Sequence, residues 1–220
     1  MLKQFFYRIL TSIFLFIAVY LFFINNIFSI IFLLIIFIIS YYEFYKLIVL
    51  IKKNLKLSYY NFICYNILFI IYLSFFVIII YNSISHESND KIFILFILFI
   101  CILTDVGGIL FGKLIGGKKL TKISPNKTIV GSIGGFALSF LCLYLFLNFI
   151  PNGSLLNLSI LVIATSFFSQ IGDLFVSLLK RKAKVKDTGI ILPGHGGLLD
   201  RIDGILLGLP LGIIIFSLLN

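Results

Sequence analysis

Residues 62–81 read Phe62-Ile63-Cys64-Tyr65-Asn66-Ile67-Leu68-Phe69-Ile70-Ile71-Tyr72-Leu73-Ser74-Phe75-Phe76-Val77-Ile78-Ile79-Ile80-Tyr81, twenty residues without a charge. At about 1.5 Å per residue, a helix of that length crosses the hydrocarbon core of a bilayer. The rest of the chain has the same character. Of its 220 residues 61% are hydrophobic and 12% are charged, where globular chains average about 45–50% and about 25%. A water-facing globule of this composition would expose large apolar patches. A disordered chain would need low hydrophobicity. The sequence is therefore that of an integral membrane protein.

Working outward from 62–81, further apolar runs appear at Ile9–Ile24 and Ile27–Ser40, separated only by Asn25-Asn26 and read as a helical hairpin. Beyond it lies Ile92–Gly112, interrupted by Asp105 and Gly107-Gly108. Gly131–Ile150 follows, ending at the turn Pro151-Asn152-Gly153-Ser154. Leu155–Leu179 carries Gln170 and Asp173, and Gly204–Leu219 is the last run. Backbone groups in lipid must satisfy one another, so each run is expected to be a helix. The fold class is all-α: a polytopic integral membrane protein of about seven transmembrane helices with a cytoplasm-facing polar site. No small-residue cleavage site follows Ile24, so the first run is read as a span and not as a signal peptide. No internal repeat and no soluble domain is evident.

The charges sort by side. With seven spans, seventeen of the eighteen Lys and Arg residues fall on one face of the membrane, and only Lys91 falls on the other. The positive-inside rule places that face, with the N-terminus, in the cytoplasm. Topology alone accounts for Lys46, Lys52, Lys53 and Lys56. The net charge of +10 fits anionic head groups or a phosphorylated substrate, and no nucleic-acid partner is expected. Cys64, Cys101 and Cys142 lie far apart in apolar runs. They form no metal or redox motif and read as small lipid- or core-facing residues.

The outer connections, which include His86, Glu87 and Asp90, are too short to build a site. The cytoplasmic side is richer. Asp105 is expected roughly 10 Å below the surface by helix rise, with Asp173 shallower. Ionisable groups inside spans face a polar cavity, a partner or an ion. The loop after the sixth run carries Lys180, Arg181, Lys182, Lys184, Lys186 and Asp187, then Gly189, Pro193, Gly194, His195, Gly196 and Gly197, and ends at Asp200-Arg201-Ile202-Asp203. Its glycines permit close backbone approach to a ligand. Asp200 and Asp203, at i and i+3, share a helix face. Cations, backbone amides and carboxylates in one loop are the components of a metal–polyphosphate site. His195 reads equally as a positioning donor or as a plain loop residue. The loop after the fourth run repeats the theme with Lys113, Gly116-Gly117-Lys118-Lys119 and Ser124-Pro125-Asn126-Lys127-Thr128. It lacks the spacing of a P-loop, and a polar hinge is the alternative.

These residues resemble the phosphatidate cytidylyltransferases, also called CDP-diacylglycerol synthases. Ser177, Lys180, Arg181, Lys186, Asp187, Gly189, Pro193, His195-Gly196-Gly197 and Asp200-Arg201-Ile202-Asp203 match that family's signature without a gap. Gln170 to Phe175 resembles the helix leading into it. Thr104-Asp105, Phe111-Gly112-Lys113 and Ser124 to Thr128 resemble its upstream motif, and Tyr42-Glu43-Phe44 a weaker glutamate–aromatic motif. The resemblance covers about 104–219 closely and the N-terminal third loosely. Val130 and Val176 stand where the family often has Glu or Gln, and Ile109 holds the position of an aromatic after Asp105. The chain is short for the family, as though an N-terminal span or two were missing. On this resemblance residues 1–103 form an N-terminal transmembrane part. Residues 104–220 form the catalytic region, with cytoplasmic loops 113–130 and 180–203, within one membrane domain.

The resemblance implies transfer of CMP from CTP to phosphatidate, releasing pyrophosphate on the cytoplasmic side of a membrane that would be the cell (inner) membrane if the protein is bacterial. It implies Mg²⁺, with a second cation allowed for, and a homodimer. Asp173 and Asp200 would bind the metal, assisted by Asp203 and Asp187. Lys180, Arg181, Lys186 and Arg201 would hold the triphosphate, aided by the Gly196-Gly197 backbone and by His195. Lys127, Ser124 and Thr128 would contact a phosphate, and Asp105 would orient a lysine or complete the cavity. A CTP-dependent polyprenol kinase is the rival reading. A transporter is a weaker rival, since the polar groups cluster at one face and do not run through the bilayer.

Overall fold

The computed structural model describes residues 2–85, 88–147, 154–194 and 196–219. Among them run seven helices: α1 (Leu2–Ile24), α2 (Asn26–Leu55), α3 (Tyr59–Ser85), α4 (Ser88–Leu114), α5 (Ile129–Phe146), α6 (Leu155–Ala183) and α7 (Leu199–Leu219). Six of these, α2 to α7, are long and apolar enough to cross a membrane, and α1 contributes a shorter apolar stretch, Ile9–Ile24. The protein is a polytopic all-helical membrane protein.

The helices differ from the sequence expectation in instructive places. α2 does not stop at Ser40 but continues to Leu55, so Glu43 and Lys46 are helical and not in a loop. Lys46 lies over the Tyr42 ring at 4.2 Å, which keeps its charge satisfied on the helix surface. α4 runs unbroken through Asp105 and Gly107-Gly108. α6 includes Lys180, Arg181 and Lys182 in its last turn, where cations suit the helix C-terminus. α7 begins at Leu199, so Asp200 lies in its first turn, where an anion is favoured.

The chain divides into two compact units: residues 1–85 with 179–202, and residues 86–178 with 203–220. In the first, Asn25 ends α1 and caps α2, its side chain accepting from the Ile27 N–H at 2.8 Å. α2 and α3 pack through Phe44 and Phe69, stacked at 3.7 Å, within a core that includes Leu33, Leu47, Leu73 and Phe76. Two helix ends there use lysine in the left-handed conformation, Lys56 and Lys184. The Val185 N–H reaches back to the Lys180 carbonyl at 3.0 Å, closing α6 in a Schellman-type turn. Asn54 on α2 donates to the Ala183 carbonyl at 3.0 Å and so satisfies another end group of α6.

The second unit is held by backbone proximity. A Cβ at Gly107 on α4 would lie 2.6 Å from the Gly134 carbonyl oxygen of α5, and one at Gly131 would lie 2.6 Å from that of Gly108. On α7, Gly204, Gly208 and Gly212 recur every four residues. A Cβ at Gly208 would meet Cys101 Sγ at 2.6 Å, and one at Gly212 would meet Thr165 Oγ1 at 2.8 Å. In lipid there is no hydrophobic contrast between helix and solvent, so small residues that admit close van der Waals contact drive association. Phe96, Ile97, Ile100, Leu161 and Val162 fill the space between, and Asn157 ties the start of α6 to the Leu219 carbonyl at 2.9 Å.

Gly107→Leu is expected to force α4 and α5 apart at a cost of about 1–3 kcal/mol. At roughly 2–4 °C per kcal/mol for a chain of this size, the thermal midpoint in detergent should fall by several degrees. Ile109→Leu, at a position 60% exposed, should leave it unchanged.

Candidate functional site

Each unit contains a carboxylate–lysine cluster. In the first unit the signature loop closes around Asp200. This carboxylate is 8% exposed and pairs with Lys180 at 2.6 Å through Oδ1. Its Oδ2 accepts from the Thr188 N–H at 2.7 Å, the Thr188 hydroxyl at 3.0 Å and the Gly197 N–H at 3.3 Å. The loop reaches this shape through an isolated antiparallel bridge between Leu192 and Gly196 and through positive φ angles at Gly194 and Gly196, a conformation glycine adopts without steric cost. Asp200 is thus a fixed acceptor. Lys180 is held on it by one of three ammonium donors, with two remaining.

Behind Asp200 stands a residue outside the expected site. Glu43 of α2 is fully buried. Its Oε2 accepts from the Thr188 hydroxyl and the Leu199 N–H, both at 2.8 Å, and its Oε1 accepts from the Leu198 N–H at 3.0 Å. Two of the loop glycines, Gly189 and Gly197, do not leave room for a ligand as expected. A Cβ at Gly189 would lie 2.5 Å from Glu43 Oε1, and one at Gly197 would lie 2.5 Å from Oε2. Gly189 and Gly197 admit the Glu43 carboxylate. The Gly197 amide, expected to face substrate, is taken up by Asp200.

In the second unit Lys127 forms an ion pair with Asp173 of α6, and the Ser177 hydroxyl donates to the other oxygen of that carboxylate at 3.3 Å. Asp105 on α4 lies within electrostatic range of both Asp173 and Lys127. Two carboxylates around one ammonium leave an excess of negative charge. Lys127 is set by the α4–α5 loop: its N–H donates to the Ser124 carbonyl at 3.1 Å, and its carbonyl accepts from the Leu120 N–H at 2.8 Å. Thr128 acts as the N-cap of α5, its hydroxyl accepting from the Gly131 N–H at 3.0 Å, so that oxygen serves the helix end. Gln170 bridges α6 to Ser132 of α5 through both the hydroxyl and the carbonyl. Asp203, buried at the start of this unit's share of α7, accepts from the Gly204 N–H at 2.9 Å.

Of the remaining expected residues, Lys186, Asp187, Arg181 and Arg201 are exposed on the loop and the adjoining helix ends. His195 lies outside the described residues. Val176 is buried in α6, and Ile109 is exposed. Cys101 and Cys142 are buried free thiols, as expected of core residues. Among the described residues no three His, Cys, Asp or Glu side chains gather as a ready metal cage. Mg²⁺ needs none, since it commonly takes one or two carboxylates and completes its shell with water and phosphate oxygens. The donors at hand are hard carboxylate and hydroxyl oxygens. Asp173 and Asp200 each already hold one cation, a lysine ammonium, so both positions suit positive charge.

Over 129 residues the chain is 46% identical to the phosphatidate cytidylyltransferases of Staphylococcus saprophyticus and Staphylococcus aureus, an alignment covering 57% of this chain and 49% of each relative. It is 45% identical over 127 residues to that of Staphylococcus haemolyticus, with the same coverage. The chain spans about half the length of the curated relatives it matches. The sequence pattern of the cytidylyltransferase family, in contrast, matches residues 1–219. Matched from end to end in this way, the chain belongs to the cytidylyltransferase family.

Proposed function

We propose that the protein is a phosphatidate cytidylyltransferase of a bacterial inner membrane, with its polar site facing the cytoplasm. One phosphate oxygen of phosphatidate attacks the α-phosphorus of CTP, the bond from that phosphorus to the β-phosphate bridging oxygen breaks, and CDP-diacylglycerol and pyrophosphate result. The observation that carries this reading is the signature loop built around Asp200. A buried, hydrogen-bonded carboxylate holds Lys180 in place while leaving two of its donors for a phosphate oxygen. Three named relatives of the same chemistry support it.

The nucleophile is already an anion, so the reaction needs no strong general base. Positioning and charge neutralisation supply the catalysis. Lys180, Arg181, Lys186 and Arg201 are assigned to the triphosphate and the departing pyrophosphate. Lys127 takes a phosphate of the nucleotide or lipid, with Asp173 and Asp105 fixing its ammonium. Asp200 in the first unit, and Asp173 and Asp203 in the second, are the carboxylates that would hold Mg²⁺, each within its own unit. The ion supplies Lewis-acid neutralisation of the phosphate oxygens when bound. The acyl chains stay in the surrounding lipid, which suits a site made by helix ends.

Two outcomes test this. Purified protein given CTP, phosphatidate and Mg²⁺ should release pyrophosphate and form CDP-diacylglycerol, with ATP and GTP inert, and a chelator should stop the reaction until Mg²⁺ is returned. Formation of CDP with a phosphorylated lipid would identify a kinase instead. Asp200→Asn puts an amide donor among the donors that surround this side chain, so turnover should drop by at least about a hundredfold, as when a fixed charge-stabilising group is removed. Parental turnover by that variant would remove Asp200 from the mechanism.

A further inference from the structure

We propose that Glu43 is a positioning residue for the reaction: it sets the place of Asp200, and through it Lys180, by gripping the signature loop from behind. The catalytic half of this inference rests on the function proposed above, and the structural half does not. Both Glu43 oxygens accept, from the hydroxyl of Thr188 and the amides of Leu198 and Leu199. That is the pattern of a carboxylate acting purely as acceptor. The two amides belong to the residue before α7 and to its first residue, where N–H groups lack helix partners and attract an anion.

Thr188 carries the connection. Its single hydroxyl lies 2.8 Å from Glu43 Oε2 and 3.0 Å from Asp200 Oδ2, so two carboxylates share one proton donor, while its N–H goes to Asp200 alone. Gly189 and Gly197 have no room for a side chain against Glu43. The loop glycines and the α2 carboxylate are therefore complementary parts of one clamp. Sequence separations of 145 to 156 residues between Glu43 and its partners make this a tertiary device and not a local cap.

The test uses full-length protein in nanodiscs with three readouts. Glu43→Gln replaces one acceptor oxygen by an amide donor facing N–H groups. Amide hydrogen exchange across residues 188–199 should rise roughly tenfold, the effect of one lost buried hydrogen bond, while α4 and α5 keep parental protection. The Lys180 amine should become more reactive to an acetylating reagent as Asp200 loosens. Turnover should fall with little change in KM for phosphatidate. Thr188→Val, which removes only the shared hydroxyl, should move the same readouts in the same direction by less, and it decides the matter if Glu43→Gln does not insert. Parental exchange and parental Lys180 labelling in these variants would overturn the clamp. Faster exchange with parental labelling and turnover would overturn the positioning role. If the parent protein itself lacks turnover, the proposed reaction fails, and exchange and labelling still decide whether Glu43 holds Asp200.

Discussion

Hydrocarbon on the outside of a protein removes the usual reason for helices to come together. Isoleucine and phenylalanine are no happier inside this bundle than against a lipid tail, so the packing depends on what lipid cannot offer. It offers neither backbone-to-backbone approach nor partners for polar groups. The two units use these two sources in different proportion. One joins its helices by glycines set against carbonyl oxygens and small side chains, with Gln170 and Ser132 as a polar tie. The other is organised around a buried carboxylate that gathers amides and a hydroxyl from a distant loop.

The transmembrane helices were legible in the sequence because an uninterrupted apolar run of about twenty residues has few other readings. Their ends were not. α2 carries on past Ser40 because Phe44, Leu47, Ile48 and Ile51 keep an apolar, buried face going beneath Glu43 and Lys46, and a hydropathy window sees only the charges. Gly107-Gly108 looked like an interruption of α4. In three dimensions those glycines are the reason α5 comes so close. The spacing of Gly204, Gly208 and Gly212 on α7 gains its meaning only from the neighbours that a Cβ there would meet.

The candidate site was legible in part. The signature loop is read from adjacent residues, and the pairing of Lys180 with Asp200 joins the two helix ends that flank it. Lys127 and Asp173 come from separate segments, and nothing in their spacing joins them. Glu43 was visible only as a weak motif, since a glutamate just beyond an apolar run ordinarily faces water. Its full burial and its three donors give it meaning. The loop glycines were expected to admit a ligand, whereas Gly189 and Gly197 accommodate a side chain of the protein itself. Lysine ion pairs occupy one carboxylate in each cluster, and the net charge of +10, which already counts those carboxylates, is what remains for phosphate after such pairing.

The long separation between Glu43 and its partners also has a meaning for how the protein is made. α2 enters the membrane early, whereas Thr188, Leu198 and Leu199 are 145 to 156 residues further along the chain. At a synthesis rate of about 5–20 residues per second, the carboxylate on the buried face of α2 waits roughly 7 to 30 seconds for the groups that will satisfy it. Through that interval α2 must keep Glu43 near head groups or water, or lend it to a helper in the insertion machinery. The α2 carboxylate is thus fully satisfied only once the start of α7 has been made, and chain termination anywhere before residue 199 would leave it short of donors.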